Sequence, residues 1–406
     1  MTRILGVLML FGAIIAAFSS SKKEAAYPFP HFVSYQSACT LSHYTPTQAA
    51  KNVAHYYQLW KKDFLIKEGK LYRVAADKKE TSRTVSEGQG YGMMIVALMA
   101  GEERDTQKIF DGLFRFVKAH PSEIESHFMT WQVPAKKGES DSAFDGDADI
   151  AYALMLASKQ WGDGGKIDYA KEAKKMIDAL GKKVIGRDSY LPLLGDWVDQ
   201  DGKEYNQYTT RTSDFMLSHF RAFYRFGGDK RWLKVIEQTQ RALEDIQALP
   251  SNKTGLVSDF IYHDKKTESF LPTKRDFLEE QDDSYYYNAC RVPWRVGLDG
   301  LLSGDKNSIM IAQKMTAWIV KTSSQKATHI KAGYRLSGNV IDDSYYSAVF
   351  MAPFGVSAKL DAAYQPLFDD VYETVKSMHE NYFEDSVNLL SQLIMIDAFW
   401  DPTTVK

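Results

Sequence analysis

The chain has 406 residues, of which 44% are hydrophobic and 13% aromatic, so it can bury a large core and is not mostly disordered. Its formal net charge is -2 and it has no long basic cluster, so the chain lacks the positive charge with which proteins attract nucleic acid. No zinc-protease motif occurs, and Cys39 and Cys290 lack metal-site spacing, so no metal centre is expected. Whether these cysteines pair or stay as two buried thiols is left open.

The N-terminus has the pattern of an export signal. Arg3 precedes fifteen apolar residues, Ile4 to Phe18, and small and polar residues follow. This stretch is shorter than the roughly 20 residues that span a bilayer, which favours a removed signal over an uncleaved anchor. We predict a signal peptide over residues 1–26, with an open cleavage site, and a secreted protein with no membrane contact after its removal. Because no Pro, Gly or Ser-rich linker follows, residues 27–406 are expected to form one domain.

Amphipathic segments recur along the remaining chain and predict a large all-α domain. They lie at residues 49–61, 90–100, 106–118, 148–161, 169–180, 214–226, 231–248, 293–302, 307–320, 358–375 and 386–398. Short connections such as "GEERD" alternate with long polar loops, as in a closed ring of helical hairpins whose long loops form a substrate-binding rim on one face. Short strands are expected at residues 72–74 and 190–194, without a parallel sheet.

The first candidate acid is Glu87, which stands among glycines in "TVSEGQGYGM", directly before an apolar helical run. Glycines at a helix start let a ligand or another chain approach the backbone closely. A carboxylate at this place can equally serve the free backbone N–H groups of the helix. This segment alone therefore leaves both roles open.

A second cluster puts Asp145, Asp147 and Asp149 at the opening of another predicted helix. Helix capping and a solvated acidic turn are the ordinary explanation. A calcium loop is disfavoured because the Gly and Glu that it requires later in the loop are absent. Two helix starts that bear carboxylates on one rim would favour a functional role.

The third cluster combines acids, tyrosines and guanidinium groups, a mixture that is typical of a carbohydrate-processing groove. In "FLEEQDDSYYYNACRVPWRVG" its members are Glu279, Glu280, Asp282, Asp283, Tyr287, Asn288, Arg291, Trp294 and Arg295.

These segments together resemble glycoside hydrolase family 8, inverting endo-hydrolases of β-linked polysaccharides built on an (α/α)6 barrel. "SEGQGYGM" resembles the general-acid segment, "DGDADIAYALMLASKQWG" the Asp-Gly-Asp signature, and "YNACRVPWR" the third motif. "TSDFMLSHFRAF" and "YFEDSVNLLSQLIM" are similar to further family segments. Phe144 departs from the Ser or Thr that is usual there.

The resemblance implies site roles. Glu87 would be the proton donor to the leaving glycosidic oxygen, with a pKa raised by burial and by neighbouring carboxylates. Asp145 would hold the distorted sugar on the non-reducing side of the cleaved bond. Trp131 matches a stacking position, although a core Trp is the alternative. The further residues expected to contact substrate are Tyr91, Tyr287, Arg291 and Trp294.

At the family's usual catalytic base, an Asp, this chain has Asn288. An amide cannot accept the proton of a water because its oxygen is a very weak base. The sequence resembles a family branch that shares this Asn and takes its base from the preceding loop. Glu279 is therefore expected to be the base, with Glu280 as the alternative, while Asn288 positions the water or the base. For an inverting pair we expect a separation of roughly 6.5–9.5 Å rather than the roughly 5–5.5 Å of a retaining pair.

Such chemistry needs no metal and no organic cofactor. The branch resemblance, together with the acidic "EEQDD" segment, which would attract a glucosamine ammonium, favours chitosan as the substrate. A neutral β-glucan, cut by an endo-β-1,4-glucanase or a lichenase, is the alternative. A non-catalytic polysaccharide-binding protein is a third hypothesis because the usual base is missing. A monomer is expected.

Overall fold

Twelve α-helices are the main regular structure of residues 24–405, the part of the chain that the computed structural model describes. In chain order they are α1 (Pro46–Phe64), α2 (Ser86–Leu98), α3 (Thr106–Ala119), α4 (Phe144–Trp161), α5 (Tyr169–Lys183), α6 (Leu217–Gly227), α7 (Arg231–Ala248), α8 (Val292–Ser303), α9 (Lys306–Thr322), α10 (Ala348–Ala358), α11 (Gln365–Val375) and α12 (Tyr382–Met395).

The even-numbered helices form a closed inner ring. Each contacts the next even-numbered helix, and α12 contacts α2, which completes the circle. Each also packs against an odd-numbered helix, α12 against α1 and the others against the helix that follows in the chain. Every residue of α10 is buried, whereas outer helices such as α3 keep a polar face toward solvent. This arrangement is the (α/α)6 barrel that the family resemblance implied.

Local sequence fixes several helix ends. Thr45 and Gln48 form a capping box at the start of α1, and Pro46 occupies its first turn. At the other end of a helix, Gly228 and Gly304 follow α6 and α8 in the left-handed conformation that ends many helices. These helix ends are thus set by local sequence, whereas the closure of the ring depends on burial.

Seven short strands form three small antiparallel sheets beside the helices. They are β1 (Leu65–Glu68), β2 (Leu71–Val74), β3 (Thr84–Val85), β4 (Gln132–Val133), β5 (Thr209–Arg211), β6 (Phe260–Asp264) and β7 (Ser269–Pro272). Strands β5, β6 and β7 make one sheet, and β7 packs against the outer helix α7. This sheet ends at Arg211, which contributes to the site described below.

Most predicted segments are helical, and the differences have physical reasons. Helix α10 was not predicted because "AVFMAPFGVSA" is apolar on all faces and contains Pro353, so it shows no amphipathic period. The predicted segment 358–375 is divided, because α10 ends at Ala358 and α11 begins only at Gln365. The strand expected at 190–194 was wrong: there is only an isolated bridge between Ile185 and Pro192.

Both cysteines are buried free thiols, which answers the question left open by the sequence. Residues 1–23 of the predicted export signal lie outside the described residues, so the signal stays a prediction. Among residues 24–405, no helix combines the length and apolar character needed to cross a membrane.

The close approach of α2 to α4 gives a test of the packing. A Cβ added at Gly90 would lie 2.8 Å from the Cβ of Asp149 and 3.0 Å from the backbone oxygen of Gly146. We expect Gly90→Ala to lower the free energy of unfolding by about 1–3 kcal/mol, measured by urea denaturation, because both neighbours belong to a packed inner helix. The control is Gly164→Ala, whose added Cβ would meet nothing within 4 Å and should change stability little. Equal effects of the two variants would contradict this account.

Candidate active site

The N-terminal ends of four inner helices meet at one cavity of about 380 Å³. Glu87 lies in the first turn of α2, Asp145 in that of α4, Arg291 directly before α8, and Tyr382 at the start of α12, and all four line the cavity. Helix N-termini carry partial positive charge, which favours carboxylates at these places. The ring therefore concentrates both acids and positive potential at one opening.

Arg291 connects the groups at this opening. Its guanidinium is buried, and its Nη1 donates to Glu87, to Oδ2 of Asp145 at 3.1 Å and to the hydroxyl of Tyr91 at 3.1 Å. Its Nη2 donates to Oδ1 of Asn288 at 2.9 Å. Arg291 thus contacts both candidate acids, Glu87 and Asp145, and also Asn288.

Glu87 is set up to hold a proton. Burial raises the pKa of its carboxyl, the Arg291 guanidinium opposes that shift, and the nearby Asp145 charge adds to it, so that the pKa stays above its ordinary value. The hydroxyl of Tyr382 donates to its Oε1 at 3.0 Å. A carboxyl with a raised pKa that still reaches a cavity is suited to general-acid chemistry.

Asp145 shows the opposite behaviour. Burial would raise the pKa of its carboxyl, but the guanidinium groups of Arg211 and Arg291 outweigh burial and hold the pKa below its ordinary value. Nη2 of Arg211 lies 3.2 Å from Oδ1 of Asp145. Two acids on neighbouring helices therefore carry opposite pKa shifts, the arrangement in which one donates a proton and the other stays anionic.

Asn288 is fixed by the buried Asp259. The Asp259 carboxyl accepts the backbone N–H groups of Tyr286, Asn288 and Ala289 at 2.7–2.9 Å, and also Nδ2 of Asn288 at 3.2 Å. With its Oδ1 taken by Arg291, the amide points Nδ2 at Oε2 of Glu279, at a distance of 2.8 Å. Burial raises the pKa of Asp259 to about 7, although the backbone N–H groups oppose that shift.

Glu279 lines the same cavity from the loop before the tyrosine run. The buried Asp282 holds this loop, since its Oδ2 accepts the backbone N–H groups of Leu278 at 2.6 Å and of Glu279 at 2.8 Å. Glu280 is exposed and does not belong to the residues that line the cavity. The structure therefore brings Glu87, Asp145, Glu279 and Asn288 together.

The candidate substrate-binding residues divide into two groups. Trp131 and Tyr287 are half-buried and, with Arg291, line the cavity. Tyr91 and Trp294 have no exposed surface, their rings pack 5.9 Å apart in the core, and neither lines the cavity. The expectation that Tyr91 and Trp294 contact substrate is therefore wrong. The inner helices α2 and α8 bury nearly all their side chains, and an aromatic residue type does not by itself distinguish a buried ring from an exposed one.

Sequence reasoning missed three residues of the site, Tyr382, Arg211 and Asp259. Tyr382 carries the same signal as Glu87 and Asp145, because it also lies in the first turn of an inner helix. Arg211 and Asp259 carried no comparable signal, because each acts through partners that are distant in the sequence.

A barrel of paired helices that places two carboxyl groups with opposite pKa shifts in one cavity, beside half-buried aromatic rings, is typical of glycoside hydrolases. The chain belongs to one family of that class: the sequence model of Glycosyl hydrolases family 8 matches residues 29–396. The protein is therefore an enzyme that acts on a glycan.

Two relatives and one solved structure support this assignment, and a second solved structure shares the fold. An endoglucanase of Bacillus sp. (strain KSM-330) is 38% identical over 92% of this chain and 82% of the relative, and a beta-glucanase of Niallia circulans is 38% identical over 92% and 91%. The apo structure of a beta-1,3-1,4-glucanase from Paenibacillus sp.X4 has a TM-score of 0.88 at 36% identity and covers 94% of this chain and 100% of that one. A cold-adapted family 8 xylanase, at 17% identity and a TM-score of 0.72 over 94% and 98% of the chains, shows the fold alone.

The Asp259 anchor can be tested by Asp259→Asn. An amide at position 259 presents N–H groups to backbone N–H groups, so we expect an unfolding free energy lower by roughly 1–3 kcal/mol. We also expect kcat to fall more than KM rises, because Asn288 loses its orientation toward Glu279. Chemical denaturation and steady-state kinetics measure both effects.

Asp178→Asn, which removes only an exposed pair with Lys174, is the matched control. Unchanged kcat in a destabilised Asp259→Asn variant would limit Asp259 to a structural role.

Tyr382→Phe tests the pKa of Glu87 directly. The Tyr382 hydroxyl stabilises the ionised form of Glu87, so its removal should raise the pKa of Glu87 further. Because a general acid must be protonated, activity is lost as pH rises through that pKa, and the alkaline limb of the kcat/KM profile should move to higher pH. An alkaline limb that stays in place or moves to lower pH would contradict the assignment.

Proposed function

We propose that this protein is an inverting endo-β-glucanase that cleaves neutral β-1,4-linked or mixed-linkage β-glucan. The observation that carries the proposal is the hydrogen-bonded connection from Glu87 through Arg291 and Asn288 to Glu279, because it presents two carboxyl groups to one cavity. The pattern of residues 1–26 supports secretion of this enzyme, and polymeric glucan is met outside the cell. We further propose that it acts as a monomer.

In the proposed reaction, Glu87 gives its proton to the glycosidic oxygen while the bond from that oxygen to the anomeric carbon breaks. The oxygen of a water forms the new bond to the anomeric carbon from the opposite side, and Glu279 takes a proton from that water. Asp145 stays anionic, so it can stabilise the positive charge that develops on the sugar ring and hold its hydroxyls. The separation of roughly 6.5–9.5 Å between the acid and the base remains a prediction.

Asn288 serves this reaction by orienting the base. Its amide oxygen does not accept the proton of the water, but its Nδ2 donates to Oε2 of Glu279. This hydrogen bond orients the carboxylate, and in the proposed reaction the other oxygen, Oε1, accepts the proton of the water. Glu279 is favoured over Glu280 because Glu279 lines the cavity.

The substrate proposal follows the glucanase alternative rather than the chitosan expectation. Asp282 is buried against backbone N–H groups, and Asp283 lies beside Arg335 at 3.3 Å and Arg275 at 3.6 Å. Only part of the "EEQDD" segment therefore remains to attract an ammonium group. The relatives above are an endoglucanase and two β-glucanases, which supports neutral glucan.

The test compares Glu87→Gln, Glu279→Gln and, as the matched control, Glu280→Gln. Reducing ends released from lichenan, carboxymethylcellulose and soluble chitosan are measured for each protein. We expect Glu87→Gln and Glu279→Gln to lose at least about 100-fold in kcat on glucan, because each removes a proton-transfer group, while Glu280→Gln stays near wild type. NMR of the first product should show the α-anomer.

The opposite results are equally clear. Loss of activity in Glu280→Gln with retention in Glu279→Gln would transfer the base role to Glu280. Hydrolysis of chitosan without hydrolysis of either glucan would restore the chitosan hypothesis. A β-anomer as the first product would exclude inversion.

A further inference from the structure

A second cavity, of about 680 Å³, lies next to the catalytic cavity and has no part in the proposed chemistry. Three segments line it: residues 200–209, which lead into β5, residues 262–266 at the end of β6 and in the turn that follows, and residues 273–277. Its volume exceeds the about 380 Å³ of the catalytic cavity, so it can accept groups as large as sugar rings.

The two cavities are neighbours along the backbone. On β5, Thr209 lines the second cavity and Arg211 the catalytic cavity, and two residues of a strand span about 7 Å. In the loop before the tyrosine run, Phe277 lines the second cavity and Glu279 the catalytic one. Strand β5 and the loop before the tyrosine run therefore contribute to the walls of both cavities.

Aromatic rings line this second cavity. Tyr262 is 37% exposed in the middle of β6, paired in register with Thr209, and Tyr208 and Phe277 are half-buried. Exposed tyrosine rings offer an apolar face with a polar edge, which suits the faces and hydroxyls of a sugar ring.

Most charges around the rings have partners of opposite sign or backbone donors. Lys274 pairs with Glu204 at 2.7 Å, and Asp264 accepts N–H groups within its own turn. Lys265 places its Nζ 5.0 Å from the ring centroid of Tyr208. Lys203 and Lys266 line the cavity as well, so the surface offers several hydrogen-bond donors beside the rings, which suits the hydroxyl groups of a sugar.

We propose that this second cavity is an accessory binding site for the neutral glucan chain, which engages sugars beyond those at the cleaved bond. The proposal rests on the proposed function for its choice of polymer. It implies that the cavity matters for long substrates and not for oligosaccharides too short to reach Tyr262.

The experiment substitutes Tyr262 by Ala and compares kcat/KM on lichenan with kcat/KM on a cello-oligosaccharide that fills only the catalytic cavity. We expect a roughly three- to tenfold loss on the polymer, the size of one lost ring contact, and a change below about twofold on the short substrate. Phe226→Ala is the matched control because Phe226 is also 37% exposed and does not line the cavity. Equal losses on both substrates, no loss on either, or the same loss in Phe226→Ala would overturn the proposal.

A binding measurement separates this proposal from the catalytic one. In the inactive Glu87→Gln protein, migration through gels that contain lichenan should be retarded, and adding Tyr262→Ala should reduce that retardation several-fold. This result supports the site whichever glutamate proves to be the base. Retardation by soluble chitosan but not by lichenan would overturn the choice of a neutral glucan, and retardation that Tyr262→Ala leaves unchanged would overturn the site.

Discussion

The site depends on one buried cation. Arg291 reaches Glu87, Asp145 and Asn288 at once, from a position that is 2% exposed. A buried charge is costly unless it is paired and hydrogen-bonded. Here the guanidinium and its partners compensate one another for the loss of hydration. Without it, two carboxyl groups at adjacent helix starts would face each other in a poorly hydrated place. The geometry of the candidate active site therefore follows from the pairing of Arg291 and from the closure of the inner ring that brings the helix starts together.

The division of roles between the two acids follows from how cations are shared. Asp145 lies between two guanidinium groups, Arg211 and Arg291, whereas Glu87 shares only Arg291 closely and has the phenol of Tyr382 on its other oxygen. The carboxyl with more positive neighbours stays ionised, and the one with fewer holds its proton more readily. Arg211 comes from β5, so a small sheet outside the barrel helps to decide the protonation states within it.

Sequence reasoning succeeded where the signal was local. The amphipathic period located eleven helical segments, and position at a helix start, joined to the family resemblance, selected Glu87 and Asp145, which line one cavity while their roles stay predictions. It failed where the cause was distant. Helix α10 is apolar on every face, and the contact of Asp259 with Asn288 joins residues far apart in the chain. For Tyr91 and Trp294 the residue type fitted a sugar platform, but the helices that carry them are buried all round.

The surroundings of position 288 explain why an amide stands there. Both oxygens of Asp259 accept N–H groups, and one of those donors is Nδ2 of Asn288, which also donates to Glu279. An aspartate at 288 would place an oxygen where both neighbours require a donor, and its charge would repel theirs. The buried Asp259 thus disfavours an ionised carboxylate at position 288. Any base must then come from outside this buried pair, and the loop that Asp282 holds presents the carboxylate of Glu279 to the same cavity.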